Sequence, residues 1–328
     1  MPVHPGPGRG CMMDGSADRT RPSCLIVYGP LRGGTTLLRL MIDGHPRLSC
    51  IDETDFLVDH LHHDEDGWRY DRTELEADRI YRGSGVRIPE GLDGRDAFRD
   101  MVRQIASASD TLPVLMLHRR IEVASAMVPD AAILRFTRDP RDSARSAIGM
   151  GWAGDVWHGV VPWIETERDW QAFAATEPAH PILTLRFEDL VSAPEEGLRA
   201  LCAFVGLPYD PAMLSYPDHT TYDAPDAKLA DQWKRKLTPQ QIALVEHRVG
   251  DLLPGSGYAL SGAPPPAPSA WMQARLRLSN RTFVWRDLIR RYGIADPVLR
   301  GVGRRLNIPA LRRGPERRMD EKTVKYLK

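Results

Sequence analysis

The sequence is poor in cysteine, in long apolar runs and in net charge. Its four cysteines, Cys11, Cys24, Cys50 and Cys202, form no C-x-x-C pair and show no metal-ligand spacing. This excludes a disulfide-stapled scaffold and predicts a reduced, cytoplasmic protein without a bound metal. No run of about 18 apolar residues occurs, so no transmembrane helix is expected. The stretch Met1-Pro2-Val3-His4-Pro5-Gly6-Pro7-Gly8-Arg9-Gly10 lacks the apolar core of a secretory signal. Residues 1–22 read as a flexible leader. The 44 Lys+Arg and 44 Asp+Glu cancel, and no nucleic-acid partner is expected.

What is present is an ordinary globular composition, 42% hydrophobic and 27% charged over 328 residues. That length builds a core without staples. The charge is unevenly spread. Residues 269–328 carry 16 Lys+Arg against 5 Asp+Glu, so the rest of the chain carries 28 against 39. Tail and body therefore have opposite signs.

Short β-branched runs alternate with amphipathic segments. Ser23–Tyr28 reads as a buried strand, followed by a glycine-rich turn and a helix over Thr35–Ile42. Further strands are expected at Val114–Leu117, Ala131–Thr137 and Ile182–Leu185. Helices are expected at Arg95–Ser107, Ile121–Met127, Trp163–Ala175, Pro194–Val205 and Pro239–Val249. Asp139-Pro140 is a helix start, with Asp as cap and Pro in the first turn. This alternation predicts an α/β fold, a P-loop-like parallel sheet flanked by helices. The domain would span 23–260. A Pro-rich linker at 261–268 would join it to a basic, helical extension at 269–328.

The turn Gly29-Pro30-Leu31-Arg32-Gly33-Gly34-Thr35-Thr36 has the spacing of a phosphate-cradling loop. Its glycines let backbone N–H groups turn inward, and the following helix adds its positive dipole end. A nucleotide kinase or NTPase, the competing reading, would have Lys where Thr35 stands and a strand-end magnesium ligand. Neither is visible, and Arg32 sits inside the loop instead. A second anion site is suggested where Arg138 ends a buried strand, the edge at which α/β sheets bind ligands. Ser146 lies two turns into the next helix. Arg141 and Arg145 read as a solvated helix surface.

These blocks resemble the sulfotransferases that use 3′-phosphoadenosine 5′-phosphosulfate (PAPS). Arg32-Gly33-Gly34-Thr35-Thr36-Leu37-Leu38 is similar to the family's 5′-phosphosulfate loop, and Arg138 through Ser146 to its 3′-phosphate motif. Arg186-Phe187-Glu188-Asp189-Leu190, with Pro194 and Phe204-Val205-Gly206-Leu207-Pro208, is similar to a third block. The resemblance covers about residues 23–260. It is strongest to the branch of tyrosylprotein sulfotransferases and their bacterial relatives, through Asp43-Gly44-His45-Pro46 and Cys50-Ile51-Asp52-Glu53-Thr54.

The resemblance implies a sulfotransferase fold and transfer of a sulfuryl group from PAPS to a hydroxyl acceptor. That acceptor could be a carbohydrate, a lipid glycan, a small molecule or a peptidyl tyrosine. Glu53 would be the general base, although its surroundings alone read as a helix N-terminal carboxylate. Arg32 would act on the leaving group. Arg32, Gly33, Gly34, Thr35, Thr36, Arg138, Ser146, Arg186 and Trp233 would bind the co-substrate, with Lys228 a weaker candidate. Against the family pattern, Gly33 replaces Ser and Phe187 a frequent Tyr. No lysine precedes the 3′-phosphate strand, where the chain reads Leu117-His118-Arg119-Arg120. An intact Glu53 argues against a non-catalytic sulfonucleotide-binding protein.

Two regions stay ambiguous. His60, His62 and His63 beside Asp64, Glu65 and Asp66 read as a polar loop rather than a metal site. Trp152, Trp157 and Trp163 would either pack or stack on an acceptor. For the basic tail three roles are open: docking on the acidic body, which opposite charge favours, peripheral membrane contact, and clamping an anionic acceptor.

Overall fold

Among the described residues seven strands form, in the order β1 (Leu25–Tyr28), β2 (Leu48–Cys50), β3 (Leu61–Asp64), β4 (Gly67–Tyr70), β5 (Leu112–Leu117), β6 (Ala132–Thr137) and β7 (Ile182–Arg186). Five of them build one parallel sheet, ordered β2-β5-β1-β6-β7, and β3 pairs with β4 as a separate antiparallel hairpin. The computed structural model describes residues 21–263, 265–306 and 308–326. The expected leader lies outside them up to residue 20. The principal helices are α1 (Thr35–Asp43), α2 (Gly94–Ile105), α3 (Ile121–Met127), α4 (Pro140–Gly149), α5 (Val161–Ala174), α6 (Pro194–Phe204) and α7 (Pro239–Val249). The tail adds α8 (Ala270–Tyr292), α9 (Ala295–Arg305) and α10 (Pro309–Tyr326).

The sheet is buried on both faces, as an all-parallel sheet must be. Alternate residues of each strand point to opposite sides. Ile26, Tyr28, Leu115, Leu117 and Ile133 meet α2, α3 and α5 on one side. Leu25, Val27, Val114, Met116 and Leu134 meet α1 and α6 on the other. A third cluster, around Trp163 and Val245, ties α4 to α5 and α7.

Strand order fixes the site. β1 and β6 are neighbours, yet the next strand after β1 lies at one edge of the sheet and the next after β6 at the other. The crevice between their carboxyl ends is a topological switch point, where open α/β sheets bind ligands. Arg32 follows β1 and Arg138 follows β6.

Three differences from the sequence expectation have physical causes. β2, only three residues long, is too short to show a period. The histidine stretch is the β3–β4 hairpin rather than a loop. In it His63 packs edge-on against Trp68 at 4.8 Å, His62 is exposed, and His60 lies 3.3 Å from Asp78. Arg141 is buried instead of solvated, because α7 brings Glu246 against it. Its guanidinium pairs with Asp139 and Glu246, both at 2.6 Å, and sits 3.7 Å over the Trp233 ring.

The basic tail lies on the body. Asn280 Oδ1 accepts from the Gly154 backbone N–H at 2.7 Å, and Arg291 donates to Met150 O at 2.8 Å. Gly154 is required there, since a Cβ would stand 2.7 Å from Phe283 Cβ. Farther along, Arg312 and Arg313 pair with Glu74 at 2.7 and 3.1 Å. Asn280→Ala leaves the Gly154 N–H without its acceptor. Stability should fall by about 1–2 kcal/mol. The check is a lower urea midpoint at unchanged slope; a midpoint equal to wild type would show that this contact holds nothing.

Candidate active site

The loop after β1 is closed by Gly33 N–H donating to Pro30 O at 2.8 Å. A Cβ at position 33 would stand 2.6 Å from Pro30 O, so this loop has no room for the serine of the family pattern. Gly34 has φ of 92° and a Cβ there would strike the Phe187 ring at 2.3 Å. Only glycine meets both conditions. No side chain caps α1 and no acidic residue stands in its first turn, which leaves the N–H groups of that turn and the positive end of the helix dipole facing the cleft.

Arg32 takes a left-handed backbone, φ 65°. Its Nε donates to Ser146 Oγ at 3.1 Å, and its guanidinium lies 5.6 Å over the exposed Trp152 ring. Burial pulls its pKa down, partly offset by Tyr222 and Glu53.

Arg138 is 8% exposed and donates through Nη1 to Arg32 O at 3.1 Å, so the two anion sites are directly linked. Its guanidinium lies 4.0 Å over the Phe187 ring. Its buried Nε has no acceptor among the described residues, and neither has Arg145 Nε. Buried donors without partners are uncommon in folded proteins. Arg138 lines the crevice beside the loop, a place that fits a bound phosphate, whereas Arg145 Nε faces the buried Asp142 Oδ1 at 3.7 Å. The third sequence block holds the other two together. Phe187 touches Gly34 and Arg138, while Glu188 accepts from the Asp139 N–H and the Tyr258 hydroxyl, each at 2.9 Å.

Glu53 is placed by its pinned neighbours. Thr54 donates twice to Met116 O on β5, from its N–H and from Oγ1, each at 3.0 Å. Asp55, 3% exposed, accepts from the His118 N–H at 2.9 Å and pairs with His118 Nδ1 at 2.7 Å. The other ring nitrogen of His118 lies 3.3 Å from Thr35 Oγ1 in the phosphate loop. Burial alone would discharge this imidazole. The Asp55 charge and hydrogen bond outweigh burial, and with Glu53 they raise the His118 pKa. Burial likewise opposes the Asp55 charge, and His118 and Arg119 outweigh it, lowering the Asp55 pKa.

A cleft of about 750 Å³ gathers Arg32, Gly34, Thr35, Thr36, Glu53 and Arg138. Four other sequence candidates lie outside its lining. Gly33 closes the turn and Ser146 holds Arg32. Arg186 lies 4.5 Å over the Tyr258 ring, and Trp233 sits under Arg141. Lys228 is exposed and also outside. Arg145, expected on a solvated surface, lines the cleft and donates to Gln232 Oε1 at 2.5 Å. Tyr222 to Asp226 form the wall opposite the loop. They carry no motif and no periodicity, so no sequence signal marks them. His118 was legible in the sequence as part of Leu117-His118-Arg119-Arg120, the stretch without the expected lysine, but its pairing with Asp55 and Thr35 was not.

The geometry defines a class, a P-loop-like α/β domain with two linked anion sites at one switch point. Comparison with known proteins narrows it. The chain belongs to the sulfotransferase family, whose model matches residues 24–211. It is 23% identical over 221 residues to protein-tyrosine sulfotransferase 1 of Danio rerio, covering 59% of this chain and 56% of that one. It is 25% identical over 215 residues to protein-tyrosine sulfotransferase A of Caenorhabditis elegans, covering 62% and 54%. The chain thus spans about half the length of the curated relatives it matches. Among solved structures it shares its fold with the sulfotransferase domain from the curacin biosynthetic pathway. That match has TM-score 0.54 and 18% identity, covering 73% of this chain and 99% of that one. The sulfotransferase domain from the Synechococcus PCC 7002 olefin synthase matches at TM-score 0.51 and 19% identity, covering 70% and 94%.

The Asp55–His118 pair should leave a signature in stability. His118, raised, contributes fully below its ordinary value of about 6.5 and loses that contribution as pH climbs through its folded value. Asp55, lowered, contributes fully above about 3.9 and loses it as pH falls through its folded value. Asp55→Asn should therefore cost most, about 3 kcal/mol, between those pH values and progressively less on either side. Urea unfolding across pH measures this; a deficit that does not vary with pH would show that the pair is not ionic.

Proposed function

We propose that this protein is a PAPS-dependent sulfotransferase acting on a hydroxyl acceptor. The observation that carries the reading is the linked pair of anion sites, Arg32 with the loop amides and Arg138 with Arg145, opening into one cleft beside Glu53. A 3′,5′-bisphosphorylated nucleoside needs two such sites a ribose apart. The loop N–H groups, Arg32, Thr35 and Thr36 would hold the 5′ end, and Arg138, which lines the same cleft, the 3′-phosphate.

Glu53 is assigned as the general base. It takes the proton of the acceptor hydroxyl as that oxygen forms its bond to sulfur, while the bond from sulfur to the 5′-phosphate oxygen breaks. Arg32 and the loop amides stabilise the charge that gathers on the departing phosphate. Thr35, held from below by His118, adds a hydroxyl at the same place. A nucleotide kinase would use Lys at position 35; a threonine tied to a buried histidine favours the sulfuryl reading.

The acceptor follows less directly. The curated relatives are named as protein-tyrosine sulfotransferases, so peptidyl tyrosine belongs among the candidates, with carbohydrate, lipid glycan and small phenol. Trp152 and Tyr222, both exposed on the cleft, would provide flat apolar surfaces for a ring. The reading includes a reducing, cytoplasmic setting, in which Cys24, Cys50 and Cys202, unpaired among the described residues, would stay thiols.

Calorimetry with 3′-phosphoadenosine 5′-phosphate and with AMP tests the binding half. Wild type should favour the former by roughly 100-fold, and Arg138→Ala should erase most of that margin while leaving AMP unchanged. Equal losses for both ligands would remove Arg138 from the 3′ site. Glu53→Gln tests the chemistry. With a verified acceptor, kcat should fall by about 10²–10⁴ while nucleotide affinity stays at the wild-type value. Retained turnover would exclude Glu53 as the base.

A further inference from the structure

Helix α8 has two opposed faces. At about 100° per residue, Asn280, Phe283, Asp287 and Arg291 fall within about 80° of one another, and this is the side that packs on residues 149–154. Asn280 and Arg291 bond the backbone there, and Phe283 and Asp287 meet Gly154 and Gly151. On the far side Trp271, Leu278, Trp285 and Ile289 fall within about 40°. All four are exposed, Trp271 at 68% and Leu278 at 69%. A helix needs only one apolar face to dock on its own domain. The outward stripe is surplus to folding.

Exposed arginines flank the stripe on both sides, Arg275 and Arg286 on one, Arg277 and Arg281 on the other. Among the described residues, none of these four forms an ion pair, unlike Arg290 and Arg291, which pair with Asp287 at 2.5 and 2.7 Å. Arg275 lies over the Trp271 ring at 5.7 Å. The apolar character continues beyond α8. Of the sixteen large apolar side chains exposed among the described residues, eleven lie after residue 268. Monomeric proteins rarely expose such a run unless it meets a partner.

We propose that α8 seats the protein on an anionic lipid bilayer, its Trp-Leu-Trp-Ile stripe in the headgroup boundary and its flanking arginines on the phosphates. Charge complementarity selects this occupant. A second copy seated stripe to stripe would bring the same surplus of positive charge to the interface and be repelled. A bilayer offers a flat apolar boundary beneath anionic groups, which is what a convex stripe between two rows of arginine matches. A cavity of about 730 Å³ beside α8 is lined from Gly151, Phe283 and Asp287 on the inner face round to Thr282 and Arg286, and includes none of the four stripe residues. No described helix is long and apolar enough to cross a membrane, so α8 lies on the bilayer rather than through it.

The test is co-sedimentation of the full chain with phosphatidylcholine vesicles, with and without phosphatidylglycerol. The proposal expects binding at least about tenfold tighter to the anionic vesicles, weakened by salt. The combined Trp271→Ser, Leu278→Ser and Trp285→Ser substitutions should reduce binding by about tenfold or more. Leu278→Ser alone, at 69% exposure, is the control for folding and should reduce it measurably with an unchanged unfolding midpoint. Arg275→Glu with Arg281→Glu should abolish the preference for phosphatidylglycerol. No sedimentation with either vesicle overturns the proposal. So does binding that the charge substitutions abolish and the stripe substitutions leave intact, since arginines alone would then account for it. A concentration-dependent dimer in sedimentation velocity, lost in Leu278→Ser and unaccompanied by vesicle binding, would assign the stripe to a second copy. None of these readouts depends on sulfotransferase activity.

Discussion

The site rests on the Phe187 ring. One face meets the backbone of the phosphate loop so closely that position 34 must be glycine, and Arg138 stacks over the ring at 4.0 Å. Loop, arginine and the segment after β7 are far apart in sequence and become one rigid unit through this contact. It desolvates Arg138 and holds its guanidinium in one orientation, which preorganises a charge that would otherwise cost entropy to fix. Glu188, the next residue, fixes the start of α4 through the Asp139 N–H. The third sequence block therefore acts as the clamp between the first two, and its arginine, Arg186, faces Tyr258 instead of the cleft.

A second constraint runs beneath the loop. Asp55, His118 and Thr35 form a buried chain from the segment carrying Glu53 to the first turn of α1. Thr54 anchors that segment to β5 by two bonds to one carbonyl. The carboxylate at position 53 is thereby placed by its neighbours, with little freedom of its own backbone. The buried Asp55 carboxylate raises the His118 pKa against the effect of burial, and His118 in turn lowers that of Asp55, so the two are interdependent.

The tail joins two requirements in one helix. Its inner face bonds the Gly154 N–H and the Met150 carbonyl, and its outer face keeps an apolar stripe that folding does not use. The acidic body holds the basic extension through Glu74, which pairs with Arg312 and Arg313, while Asp320 of the extension pairs in the opposite sense with Arg82 of the body. Several arginines are spent on that docking. Those beside the outer stripe are left over, and this difference separates the structural half of the tail from its surface half.

The sequence alone determined the alternation of strands and helices, the phosphate loop and the strand-end arginine. Each of these is local: a period, a glycine spacing or a cap is written within a dozen residues. Glu53 became readable only through the family pattern, since a lone carboxylate near a helix start has no chemistry of its own. Tertiary structure decided what sequence spacing cannot carry. It set Arg186 and Trp233 outside the cleft and brought Arg145 and the motif-free wall from Tyr222 to Asp226 into it. It buried Arg141 beneath α7 and joined Asp55, His118 and Thr35 across three elements. These depend on which distant segments the strand order brings together, and the energy of a buried ion pair or an aromatic stack exists only once both partners have left water.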